Sequence, residues 1–305
     1  MSAATKLRQM LQDPETFLLC PGVYDGFSAR MALSVGFDCL YMTGAGSSAS
    51  VIGHADLGLM TQTQMRTNAE TIAGLCALPE YGSSPIPLIA DADTGYGGPV
   101  MVARTVKQYA QSGVAALHLE DQIQTKRCGH LAGKEVVDRD VFVNRIRAAV
   151  NARKEVGSDI VIIARTDALQ THNYEEAIAR LKEAGEAGAD VAFFEGLTSK
   201  EQAAQIIKDL APMPVLLNMV ESGATPSFTA AEAKEVGFKI MIVPFVTISS
   251  ASFAMREELE RLKSEGTMSA KAKSLTPQGL FGICGVDASM EVDRKAGGKS
   301  FATGI

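Results

Sequence analysis

Two short stretches carry carboxylates that could work together: Asp91 and Asp93 in A-D-A-D-T-G-Y-G, and Glu120 in H-L-E-D-Q, with Asp56 available from G-H-A-D-L-G. An oxygen-only donor set of this kind suits Mg²⁺, a hard cation that accepts one or two direct carboxylates and keeps several waters. Crowded in one cleft without a cation, the acids would repel one another. The competing reading is that each acid merely caps the helix that follows it. Arg165 in I-I-A-R-T-D-A is a second candidate. A guanidinium just past an apolar run has left water and needs a partner, and its planar fork suits a carboxylate held by two hydrogen bonds. An ion pair with Asp167 or Glu195 would satisfy it equally. The third is K-R-C-G-H, residues 126–130, in which Lys126, Arg127 and His130 surround Cys128 with positive potential. That lowers a thiol's pKa and fits it for proton exchange with a substrate carbon. Gly129 is the sole spacer between Cys128 and His130, too close for a thiol-hydrolase dyad. In the fourth, Y-M-T-G-A-G-S at 41–47, small residues let backbone N–H groups close on an anion, and Tyr41 adds a hydroxyl and a ring wall. A plain turn between strand and helix is the alternative here. The stretch is not a P-loop, because G-x-x-x-x-G-K-[ST] is absent.

These residues need elements that bring them together. Eight aliphatic or β-branched runs, at 17–23, 39–43, 86–90, 115–119, 160–164, 191–194, 215–217 and 240–243, are bounded by Gly, Pro or Asp. Most are continuously apolar, as strands of a parallel sheet covered on both faces are. Between them, 101–112, 139–156, 174–187 and 200–210 have helical spacing, several with acids in the first turn and a glycine after the end. Eight such units predict an α/β fold, a (β/α)₈ TIM-type barrel; a doubly wound open sheet has the same local grammar. Tyr41, Thr43, Asp91, Asp93, Glu120, Asp121, Arg165, Asp167, Glu195 and Asn218 all stand at or just after carboxyl ends of these runs. A barrel gathers them at one mouth, whereas an open sheet strings them along an edge. We expect a single barrel domain over 1–305, with 246–305 as a C-terminal helical extension. Its helical patterns, at 254–264 and 271–282, are expected to pack on a partner subunit.

Composition sets the outer bounds. With 305 residues, 46% hydrophobic and 21% charged, the chain can bury a sizeable core, and 28 glycines against 11 prolines are those of an ordinary globule. A net charge of -6 argues against nucleic acid as a partner, so an anionic substrate needs a locally built cationic site. No apolar run reaches the roughly eighteen residues of a membrane span. Residues 1–15 lack an apolar signal core, and Asp13 and Glu15 fit poorly with a transit peptide, which makes the cytoplasm the expected location. Five widely spaced cysteines, Cys20, Cys39, Cys76, Cys128 and Cys284, do not read as a disulfide framework.

K-R-C-G-H and D-A-D-T-G-Y-G, in this order between these strands, resemble the isocitrate lyase and phosphoenolpyruvate mutase superfamily, and the likeness runs over residues 21–244. The resemblance implies Mg²⁺, with Mn²⁺ able to substitute, bound directly by Asp91, while Asp56, Asp93 and Glu120 hold its waters. It implies that Thr43, Gly44 and Ala45 bind an α-keto-acid carboxylate through main-chain amides and that Arg165 orients the substrate. Gly129, His130, Glu195 and Asn218 match the far side of the pocket, and Cys128 matches the general acid of the lyase branches. The E-D-K-x-x-P-K-x-N-S loop of the phosphonate-forming mutases is absent, and there is no room for the insertion of the longer isocitrate lyases. What remains are the compact branches, and N-M-V-E-S-G at 218–223 looks closest to the dimethylmalate and oxaloacetate group. Pro244, after the eighth run, stands where oxaloacetate hydrolases of the superfamily carry a serine.

The expected reaction is therefore Mg²⁺-assisted retro-aldol cleavage of a 2-alkylmalate, with 2,3-dimethylmalate giving pyruvate and propionate. Tyr41, Glu120 or a water on the metal would be the base. The alternatives are oxaloacetate hydrolysis to oxalate and acetate, 2-methylisocitrate cleavage, and a non-catalytic binding protein on a barrel. The assembly expected of such a protein is a homotetramer, a dimer of dimers exchanging their C-terminal helices.

Overall fold

The computed structural model describes residues 1–301 except 130 and 224. Its eight strands are β1 (Leu18–Val23), β2 (Leu40–Met42), β3 (Leu88–Asp91), β4 (Ala116–Glu120), β5 (Val161–Thr166), β6 (Val191–Phe194), β7 (Val215–Asn218) and β8 (Ile240–Val243). They pair in parallel in chain order, and β8 closes on β1 with Leu18 opposite Ile240, so the sheet is a barrel and not an open one. Nearly every strand position is buried, which is why the sequence shows continuous apolar runs and no alternation.

Helices Gly26–Val35, Gln62–Cys76, Pro99–Gln111, Arg139–Glu155, Tyr174–Glu186, Lys200–Leu210 and Ala230–Val236 return the chain between strands. Their starts are written in the sequence. Asp25, Thr61 and Thr229 each close a capping box, and Asn173 and Ser199 accept from the third helical amide, worth about 1 kcal/mol apiece. The helix expected at 101–112 begins earlier, at Pro99, because proline's fixed φ and missing N–H suit the first helical position.

Two apolar layers result. One, with Leu40, Leu88, Val106, Phe142, Ile162 and Ile206, lies between sheet and helices. The other, with Leu18, Cys20, Ile89, Ile163, Phe193, Leu216 and Ile240, fills the barrel. A helix that the sequence reading did not anticipate, Ala3–Gln12, lays Leu7 against this inner layer at the amino ends of the strands. Arg8 of this helix holds both carboxylate oxygens of Asp190, at 3.0 and 3.1 Å.

The chain divides into two compact units, Met1–Thr247 and Ile248–Ile305. The pattern at 254–264 lies within a longer helix, Val246–Glu265, and that at 271–282 splits into Ala270–Lys273 and Pro277–Ile283 because Pro277 starts a new helix. Helix Val286–Lys295 follows. Met255, Leu259 and Leu262, spaced to share one helix face, are 57%, 65% and 48% exposed in the single chain. Among the described residues, no helix is long and apolar enough to cross a membrane.

Candidate active site

β3 ends at Asp91, whose Oδ1 accepts from the amide of Asp93 at 2.8 Å. Asp93 takes φ 47°, a left-handed conformation that aspartate enters more readily than most residues. The amide of Glu120, at the end of β4, donates to the carbonyl of Asp93 at 3.0 Å, which ties the two acidic strand ends together. All three carboxylates are buried. Burial pushes Asp91 up, Asp93 up to about 6 and Glu120 well above the usual carboxylate range. The partner they share is Lys126, whose Nζ lies 2.5 Å from Asp56 Oδ1 and 2.5 Å from Asp93 Oδ1. Burial opposes the charge on Lys126, but Asp93, Asp56, Glu120 and Asp91 outweigh it and hold the ammonium well above its ordinary range.

This differs from the sequence reading, in which Lys126 and Arg127 surround Cys128 with positive potential. Lys126 is committed to the acids, and Arg127 donates to the carbonyl of Ala132 at 3.1 Å. His130 lies outside the described residues.

The donor chemistry fits a hard divalent cation. Four oxygen-bearing acids already hold one cation between them, and Glu120 Oε1 is buried with no hydrogen-bond partner among the described residues. Among those residues no three acidic, cysteine or histidine side chains stand close enough to form a ready-made cage.

Arg165 is at once an ion-pair hub and a wall of the cavity. Its Nε lies 3.0 Å from Asp167 Oδ2 and 3.4 Å from Glu120 Oε2, and its Nη2 lies 3.3 Å from Glu195 Oε2. Lys134, 2.5 Å from Asp167 Oδ1, adds a second cation to this cluster. Burial disfavours ionisation of Asp167, yet Arg165 and Lys134 outweigh it and hold the carboxyl below its usual range. Asn218, closing β7, donates through Nδ2 to Glu195 Oε2 at 3.0 Å. Beneath these groups Phe193 carries the guanidinium on its face, 4.9 Å from ring centroid to Cζ.

The glycine-rich stretch after β2 is the first turn of a short helix, Gly44–Ser47, capped by the Thr43 hydroxyl, which accepts from Gly46 at 3.3 Å. As at any helix start, the amides of Gly44 and Ala45 have no intrahelical acceptor. A Cβ at Gly44 would overlap the Asp91 carboxylate, and one at Gly129 would overlap the Arg165 guanidinium, so both glycines allow backbone to approach charge. The loop carrying Cys128 is folded over the mouth. The Cys128 amide donates to the carbonyl of Asp56 at 3.1 Å, Gln122 brackets Arg127, and Lys134 Nζ donates to the carbonyl of Gly129 at 2.6 Å.

One cavity at the carboxyl ends of the strands is lined by Tyr41, Thr43, Ala45, Asp56, Asp91, Cys128, Gly129, Arg165, Glu195, Asn218 and Pro244. Asp93 and Glu120 lie behind it, joined through Lys126 and Arg165. Sequence reasoning did not single out Val220 and Phe245, which also line it, or His118, which lies on the barrel floor under Tyr41. The position of His118 two residues before Glu120 in a strand, on the same face, was the available signal. The cavity has a volume of about 30 Å³, room for a water or two. A groove of about 470 Å³ at the amino end, beside Lys182, Asp190 and Pro212, is larger, but the buried titratable groups converge on the small one.

A closed parallel barrel with charge concentrated at this mouth is the architecture of α/β-barrel enzymes, which place their chemistry there. The chain belongs to the phosphoenolpyruvate phosphomutase family, whose model matches residues 7–263. It is 37% identical over 305 residues to the 2,3-dimethylmalate lyase of Eubacterium barkeri, covering 100% of both chains. It superposes on a crystal structure of a 2,3-dimethylmalate lyase with a TM-score of 0.96 at 61% identity, covering 100% of this chain and 99% of that one. An oxaloacetate acetylhydrolase in complex with 3,3-difluorooxalacetate gives 0.94 at 54% identity, over 98% and 99%. A phosphonopyruvate hydrolase bound to oxalate and Mg²⁺ gives 0.82 at 26% identity, over 96% and 99%.

Proposed function

We propose that this chain is a Mg²⁺-dependent carbon–carbon lyase that cleaves a 2-alkylmalate, 2,3-dimethylmalate foremost, to pyruvate and propionate. The observation that carries this reading is the convergence of Asp91, Arg165 and Cys128 on one cavity at the barrel mouth. Arg165 and the amides of Gly44 and Ala45 would hold the carboxylate beside C2, whereas the Thr43 amide, expected to join them, is taken by the carbonyl of Val23 at 3.0 Å. Glu195 and Asn218 would shape the far wall with Gly129, and Pro244 would face the alkyl substituent. When bound, Mg²⁺ would polarise the C2 oxygen, with Asp91 as direct ligand and Asp56, Asp93 and Glu120 holding its waters. The 2-hydroxyl gives its proton to Glu120 or a water and C2 becomes the keto carbon as the electron pair of the C2–C3 bond moves to C3, where the Cys128 thiol delivers a proton and is left as thiolate. The small cavity supports a loop that opens for the substrate and closes on it, because a branched dicarboxylate does not fit in room for a water or two.

A second reading, oxaloacetate hydrolysis, is favoured by the likeness to the oxaloacetate acetylhydrolase. The discriminating experiment offers 2,3-dimethylmalate, oxaloacetate and 2-methylisocitrate in parallel and identifies the products. Pyruvate with propionate supports the lyase, and oxalate released faster than any alkylmalate is cleaved overturns it. The exposed stripe of Met255, Leu259 and Leu262 supports a homo-oligomer in which 246–305 pack on a partner, in keeping with a dimer of dimers.

A further inference from the structure

His118 is fully buried on β4, where it lies directly opposite Asp91 of β3. Its Nε2 lies 3.0 Å from the Tyr41 hydroxyl and 3.6 Å from Asp91 Oδ1. The ring is fixed by its neighbours. It stacks on Tyr41 at 5.8 Å between centroids and 24° between planes, and it meets Phe193 edge-on at 5.4 Å and 74°. Tyr41, His118 and Phe193 come from β2, β4 and β6, so they form one layer contributed by alternate strands, the floor under the cavity.

A hydrogen on Nε2 faces two oxygens. A hydrogen on Nδ1 would face no acceptor among the described residues, since that atom is buried without a partner. An orphaned buried N–H is the costlier of the two arrangements, so the tautomer with hydrogen on Nε2 is favoured. A doubly protonated ring would present the same donor. A phenol is protonated near neutral pH and has one hydrogen to give. Once its oxygen accepts from His118, that hydrogen points elsewhere, and Tyr41 lines the cavity.

We propose that His118 is a positioning residue that donates its Nε2 hydrogen to the Tyr41 oxygen and so sets Tyr41 as a hydrogen-bond donor to the C2 oxygen of the substrate. Tyr41 then stabilises the charge that develops on that oxygen as the 2-hydroxyl proton leaves, and it is not the base. Glu120 or a water takes that proton. The role of Tyr41 rests on the assignment of this cavity as the reaction site, whereas the His118–Tyr41 bond does not.

Two experiments test this separately. The first labels the protein with ¹⁵N-histidine and reads the imidazole couplings by NMR. With only 4 histidines, His118 is assigned by loss of its signal in His118→Gln or, if that variant fails to fold, by substituting the other three in turn. The expected result is hydrogen on Nε2, a bare Nδ1, and an Nε2 resonance displaced in Tyr41→Phe. Hydrogen on Nδ1, or an Nε2 resonance indifferent to Tyr41→Phe, overturns the proposal. The second experiment is kinetic. Tyr41→Phe and His118→Phe should each lower kcat, the former about a hundred-fold, with smaller changes in KM. Because His118 acts through Tyr41, the double variant should be no slower than Tyr41→Phe alone, and His118→Gln, which keeps a donor, should recover part of the loss. Multiplicative losses in the double variant overturn the relay. If the protein cleaves no 2-alkylmalate at all, the proposed function fails, and the NMR result still decides the bond.

Discussion

The ammonium of Lys126 stands 2.5 Å from Asp93 Oδ1 inside a pocket of four acids, so one side chain supplies part of the counter-charge that a divalent ion would bring. Metal and lysine therefore serve the same electrostatic need. Excess chelator is expected to abolish turnover, and Mg²⁺ or Mn²⁺ to restore it; full activity in chelator removes the metal from the mechanism. By titration calorimetry Asp91→Ala should weaken Mg²⁺ binding more than Asp56→Ala or Asp93→Ala, since only Asp91 is assigned as a direct ligand.

The same acids set a pH dependence. Burial raises Asp93 to about 6 from its ordinary 3.8, so across that window the folded chain binds more protons than the unfolded one and loses stability as pH rises. Asp91 and Glu120 are shifted in the same direction. A bound cation reverses this cost, and protonation of the acids opposes binding. The gain in melting temperature on adding Mg²⁺ should therefore grow from about pH 4 to about pH 7, and Mg²⁺ affinity should fall below about pH 6. A gain that is flat across that range would count against these acids as the binding group.

Cys128→Ser should lower kcat by roughly two orders of magnitude or more, within the range for losing a general acid, and leave oxalate binding nearly intact. Normal turnover by the variant would place the acid elsewhere. Because the loop is tied to Asp56 and to Lys134, oxalate with Mg²⁺ should protect the chain from cleavage at Lys126 and Arg127 in limited proteolysis.

Pro244 lines the cavity and offers no donor. Hydrolysis of oxaloacetate requires a hydrated C2 bearing two oxygens. The oxygen that cannot reach the metal costs about 1–3 kcal/mol if left unbonded, a factor of roughly ten to a hundred. Dimethylmalate should accordingly be cleaved much faster than oxaloacetate, and Pro244→Ser should raise oxaloacetate hydrolysis relative to the lyase reaction. An unchanged ratio in that variant would show that this wall does not choose the substrate.

A charge on the exposed stripe should oppose assembly, because burying an unpaired carboxylate is costly. Leu259→Asp is expected to shift the protein to smaller species in sedimentation velocity, while Ser264→Asp, exposed on the opposite face of the helix, should not. A monomeric unmodified protein would end the oligomer proposal.

The runs that became strands and the polar residues at their ends were legible in the sequence, since burial on both faces and the chemistry of a strand terminus act over a few neighbouring residues. The caps at Asp25, Thr61 and Thr229 are equally local, but they were not named from the sequence and emerged with the helices they start. Proline's effect at 99 and 277 is just as local, although its consequence for the helix boundaries emerged only in the fold. Which of the charges would meet was not legible. Lys126 read as a neighbour of Cys128 and instead reaches Asp56, 70 positions away in sequence, because the loop after β4 folds across the mouth. His118 read as an unremarked strand residue, and the strand order and register, with β2 and β4 on either side of β3, put it under Tyr41. Arg165 was expected to hold either a carboxylate ligand or an internal acid, and the barrel gives it Glu120, Asp167 and Glu195 together while leaving it in the wall of the cavity. Local sequence determines which groups stand at strand ends; register, closure and loop path decide which of them share a dielectric, and with it their charge.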